Sequence, residues 1–97
     1  MRNRDAYKKK IYTELELVQI RFAQFKAQGQ NFDTATRAKH NRHVEKVEQH
    51  IIATKAKLKE LNAAPDDVWE ELVDDVENKW TELKSTLEDA ISNSYSK

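Results

Sequence analysis

The sequence predicts an all-α fold in which three long helices pack as an antiparallel, up-down-up three-helix bundle or coiled coil, and three observations carry that expectation. The 97 residues are 35% charged and 38% hydrophobic with one Gly and one Pro, a composition typical of long amphipathic helices and too poor in turn residues for a β architecture. Apolar residues recur at steps of three and four. Charge is segregated along the chain in a way that suits helices folded back on one another. One domain, residues 1–97, is expected, with helices over about 2–28, 32–63 and 66–95.

In the first segment Tyr7, Ile11, Leu15, Val18, Phe22 and Phe25 form the stripe that one helical face requires, and Leu17 and Ile20 widen it. The break after it is AQGQNFD. Gly29 is suited to end a helix in the left-handed conformation there, and Asn31 or Asp33 to cap the next. The second stripe, Val44, Val47, Ile51, Leu58 and Leu61, is thinner, with Thr54 where an apolar residue would fall and a weakly patterned start, TATRAKHNRH. At NAAPDD, Pro65 fits the first turn of a new helix, and Asp66 and Asp67 suit its positive dipole end.

The third stripe runs Trp69, Leu72, Val76, Trp80, Leu83, Leu87 and Ile91, in steps of three, four and four. WEELVDDVENK followed directly by WTELKSTLEDA thus reads as an eleven-residue repeat, which favours straight or slightly right-handed packing. The two tryptophans become successive positions on one face. A buried indole needs a partner for its N–H, or access to the rim of the core.

Total charge is zero, but residues 1–29 hold 7 basic and 3 acidic side chains, residues 30–64 hold 7 and 4, and residues 65–97 hold 3 and 10. Arg2, Arg4, Lys8, Lys9 and Lys10 open the first segment, while Lys55, Lys57 and Lys59 lie near the end of the second. Asp66, Asp67, Glu70, Glu71, Asp74, Asp75 and Glu77 open the third. An up-down-up arrangement brings these three ends together, so the acids are expected to meet two basic neighbours; antiparallel association of two chains, through exchanged helices or a dimer, satisfies the same pattern equally well. Exposed pairs of this kind contribute only about 0–1 kcal/mol each, and therefore select topology more than they add stability.

Chemistry-bearing motifs are sparse. Cysteine is absent, which removes disulfides, thiol nucleophiles and thiolate metal sites. His40 and His43 at i, i+3 have the spacing to share an ion, but His43 and His50 are two turns apart and no Glu-x-x-His pair occurs. A helix-surface or core-rim role is expected for these histidines, and a solvated, dipole-favoured face for the acidic cluster. No metal or cofactor is expected. Glycine is too scarce for a phosphate-cradling loop. The polar end, with Ser92, Ser94 and Ser96, reads as a fraying tail, and Tyr95 is positioned to pack back onto the bundle. Neither a signal peptide nor a membrane span is legible, so a cytoplasmic location is expected.

At residues 66–90, DDVWEELVDDVENKWTELKSTLEDA, and again at RDAYKKKI, residues 4–11, the chain resembles a family of small bacterial coiled-coil stress-response proteins. Tyr7, Trp69, Leu72, Trp80 and Leu83 carry the resemblance, while the middle segment is similar in composition alone. The resemblance implies association with salt or general stress and no catalytic site. The eleven-residue pattern is also similar to that of apolipoproteins and desiccation-protective proteins, although the acidic third segment departs from a lipid-seeking helix.

The expectation is therefore a non-enzymatic, stress-associated interaction or protective protein that self-associates or binds a protein partner, with no small-molecule substrate. The alternative is a peripheral binder of anionic membrane or nucleic acid through Arg4, Lys8, Lys9 and Lys10.

Overall fold

The computed structural model describes the backbone of residues 3–95 and the side chains of residues 3–92. Arg2, Ser96 and the side chains of Ser94 and Tyr95, singled out above, lie outside the described residues. Among the described residues three helices make up the fold, α1 (Arg4–Ala27), α2 (Thr34–Ala63) and α3 (Asp66–Tyr95), and a 3₁₀ turn, Gln28–Asn31, lies between α1 and α2. Together they form a rod of 51 × 19 × 17 Å.

Local chemistry sets each boundary. The Asn3 side chain accepts the Ala6 N–H at 3.1 Å and caps α1. Asp33 accepts the Thr36 N–H at 2.8 Å and caps α2, and these hydrogen bonds to Thr36 hold its carboxyl below the usual carboxylate range. Pro65 stands one residue ahead of α3 rather than inside its first turn, and its carbonyl accepts the Val68 N–H at 3.2 Å. Asp66 and Asp67 occupy the first turn of α3, where the helix dipole favours them.

The three helices alternate in direction. Arg4 reaches the carbonyls of Leu61 and Ala64, and His40 lies beside the Lys26 carbonyl, so α1 and α2 are antiparallel. The Arg4–Asp66 contact sets the start of α3 against the start of α1. Ile11, Leu15, Val18, Phe25, Val44, Val47, Ile51, Leu58, Leu61, Trp69, Val76, Trp80, Leu83 and Leu87 are buried in one continuous core, and Tyr7, Phe22, Leu72 and Ile91 pack half-buried against it.

Three further sequence expectations need correction. Burial along α3 follows Trp69, Val73, Val76, Trp80, Leu83, Leu87 and Ala90, in alternating steps of four and three. That is a seven-residue repeat, characteristic of left-handed coiled coils, and not the eleven-residue repeat that implied straight or right-handed packing. Val73 and Ala90 take the inner positions that Leu72 and Ile91 were expected to fill. α2 keeps the same beat through His40, Val44, Val47, Ile51, Thr54, Leu58 and Leu61.

The second correction concerns Leu17 and Ile20, which are 58% and 52% exposed and do not widen the core stripe. Six and nine residues beyond Ile11, at about 100° per residue, they fall on the far side of α1. The third is Gly29, because no described glycine has a positive φ. Its role is space: a Cβ there would lie 2.7 Å from His40 Cδ2.

Candidate functional site

The polar chemistry of the chain gathers at the two ends of the rod and on its outer faces. At the first end Arg4 joins all three helices. Its Nη1 donates to Asp66 Oδ1 at 2.6 Å, and its Nη2 donates to the carbonyls of Ala64 at 2.9 Å and Leu61 at 3.4 Å. These carbonyls close α2, where a guanidinium both fills lone pairs and meets the negative end of the dipole. Its carbon also stands 5.5 Å from the centroid of the Trp69 ring.

Tyr7, one turn further along α1, meets the same indole edge-on at 5.7 Å and 86°, and its hydroxyl donates to Glu77 Oε1 at 3.0 Å. Tyr7 and Trp69 are therefore in direct contact. Neither Trp69 nor Trp80 has a hydrogen-bond partner for its indole N–H among the described residues, and no buried side-chain N or O there is left unpartnered. Both N–H groups reach the rim.

The opposite end is closed by α2. Arg37 donates from Nε to the Gly29 carbonyl at 3.1 Å and from Nη2 to the carbonyls of Phe32 at 3.1 Å and Gln30 at 3.4 Å. His40 is 4% exposed, with its ring between Phe25 at 4.5 Å and Phe32 at 5.0 Å, and its Nε2 lies 3.4 Å from the Lys26 carbonyl. Sequence reading placed this histidine at the surface or rim. The signal that could have placed it inside is its position seven residues before Val47 and fourteen before Thr54.

His43, one turn further on, is half-buried. Desolvation, with Lys39, His40, Lys46 and Arg42 adding to it, holds its ring below the ordinary histidine value. Among the described residues no three His, Asp or Glu side chains gather as a metal site would require. His50 instead faces Glu82 of α3 at 3.9 Å.

The expected meeting of acids with two basic neighbours is narrower than the charge pattern implied. Among the described residues the ion pair across that end is Arg4–Asp66, while Lys57 pairs with Glu60 on its own helix. Asp67, Glu70, Glu71, Asp74 and Asp75 are exposed. Lys8, Lys9 and Lys10 are exposed too, but three successive helical residues diverge around the axis and do not form one face. Arg4, expected to serve with them in surface binding, is committed to the junction of α1, α2 and α3.

On the outer faces Leu17, Ile20 and Ile52 are more than half exposed, and Tyr12 is 39% exposed. A groove of about 540 Å³ between α1 and α2 is lined by Tyr12, Leu15, Glu16, Gln19, Lys55 and Lys59. The Tyr12 hydroxyl accepts a hydrogen bond from Asn62 Nδ2 at 2.7 Å across its upper end. No helix among the described residues is long and apolar enough to cross a membrane. No protein-family model matches the chain, and neither a curated protein nor a solved structure matches it.

Proposed function

We propose that this chain is a non-enzymatic helical interaction protein that works in the cytoplasm by associating with copies of itself or with another protein, in the stress-associated setting that the resemblance to small bacterial coiled-coil proteins implies. The observation that supports this reading is the exposure of Ile52 at 61%, Leu17 at 58% and Ile20 at 52% on a rod whose inner stripes are already satisfied. Large apolar side chains on outer helix faces are covered at low cost by a second protein surface. At the two ends of the rod Arg4, Tyr7, Arg37 and His40 bind the chain's own backbone and side chains, so these four groups serve the fold.

Binding of anionic membrane or nucleic acid through the first helix draws less support, because Arg4 is engaged and Lys8, Lys9 and Lys10 diverge. Light scattering across protein and salt concentration tests the main reading. A mass above the 11.4 kDa of one chain is expected as concentration rises. A single-chain mass throughout, with no partner recovered by cross-linking, would overturn it.

A further inference from the structure

We infer that a second copy of this chain docks along the outer stripe of α2, antiparallel, with the twofold axis beside Ile52; this rests on the self-association proposed above and gives it a surface and an orientation. Glu45, Glu48, Ile52, Lys55 and Lys59 follow one another at steps of three, four, three and four, so they share one face of α2. All five are exposed, and Ile52 at 61% is the most exposed of the large apolar side chains described. None of the four charged members belongs to an ion pair among the described residues.

The order of the stripe is acid, acid, apolar, base, base. It is complementary to itself only when read backwards. An antiparallel copy sets Glu45 against Lys59 of the second copy and Glu48 against Lys55 of the second copy, twice over by symmetry, with Ile52 meeting its counterpart at the centre. A parallel copy would set acid on acid and base on base, which disfavours that register. Lys55 and Lys59 also wall the groove beside Tyr12, so the edge of α1 extends the contact. The stripe covers about 21 Å at roughly 1.5 Å per residue. That places the contact at the small end of specific interfaces and makes it weak and salt-sensitive.

The test is sedimentation velocity on the full chain at low and high salt, up to millimolar protein. It uses wild type and two exposed double variants, K55E/K59E and E45K/E48K, with circular dichroism checking that each remains helical. Wild type is expected to dimerise at low salt, each variant alone to dimerise about tenfold more weakly or not at all, and an equimolar mixture of the two to recover dimer. Wild type that stays monomeric overturns both this inference and the self-association on which it rests. Wild type and variants that dimerise equally leave self-association standing and overturn this surface. Monomeric variants whose mixture stays monomeric overturn the antiparallel pairing.

Discussion

The ring of His40 occupies the space in which any side chain on residue 29 would begin: a Cβ there would lie 2.7 Å from Cδ2 and 3.1 Å from Nε2. Phe25 and Phe32 flank the ring, so it has little room to yield. Gly29→Ala is expected to destabilise the protein by about 1–3 kcal/mol, as overpacking does. The penalty should shrink when the same change is made on a His40→Ala background, because the collision is then gone. Urea denaturation of the four proteins measures this. An equal penalty on both backgrounds would show that the ring is not the cause.

The junction of Arg4, Tyr7 and Trp69 predicts a graded series. Trp69→Ala removes a buried indole together with the surface on which Tyr7 and Arg4 rest, and about 3–5 kcal/mol is expected. Trp80→Ala should cost the same amount, since Trp80 is 7% exposed and packed in the same core. Tyr7→Phe keeps the ring contact and loses the hydroxyl bond to Glu77, so about 1 kcal/mol is expected. A cost below about 1 kcal/mol for Trp80→Ala would mean that this indole serves a partner surface and not the core.

Most of the architecture was legible in the sequence because burial obeys helical geometry and each break carries its own chemistry. Asp33 and Pro65 mark the helix starts to within a residue or two. The repeat on α3 was harder to read, since Leu72 and Val73, and likewise Ala90 and Ile91, are adjacent apolar residues and either member of each pair satisfies a three-or-four step. Only the packing of α1 and α2 decides between them, in favour of Val73 and Ala90. His40 and Gly29 were illegible for a related reason. A histidine joins a core only where partners for its ring and nitrogens converge, and those partners come from α1 and the following turn. The outer stripe of α2 was present in the sequence throughout, but its exposure could be known only after the inner stripe had been assigned.

Thr54 occupies a core position of α2 with no exposure, and its hydroxyl donates to the His50 carbonyl at 2.7 Å, one turn back on the same helix. Among the described residues that hydroxyl makes no hydrogen bond to another helix. Thr54→Val keeps the branched shape and leaves the carbonyl its backbone partner, so nothing buried is orphaned. Stabilisation of up to about 1 kcal/mol is expected, which for a domain of this size raises Tm by roughly 4–8 °C per kcal/mol. Calorimetry decides the point, and a fall in Tm would mean that the hydroxyl has a role in the bundle beyond its own helix.

His43 gives the fold a pH dependence whose sign follows from burial. Its ring is held below the ordinary value of about 6.5, first by desolvation and then by the nearby Lys39, His40, Lys46 and Arg42. Well above pH 6.5 the ring is neutral in the folded and unfolded chains alike, and its packing contributes fully. As pH falls below about 6.5 the unfolded chain takes up the proton first, so stability declines until pH has passed through the lower, folded value, where the loss levels off. The His50–Glu82 contact is an ion pair only while that ring carries its proton, so it too responds to acid. Wild type alone therefore does not isolate His43. The decisive comparison is with His43→Gln, measured by urea denaturation at neutral and mildly acidic pH. The variant is expected to lose less stability on acidification than wild type does. An equal or greater loss would show that His43 remains as easily protonated in the bundle as in the unfolded chain.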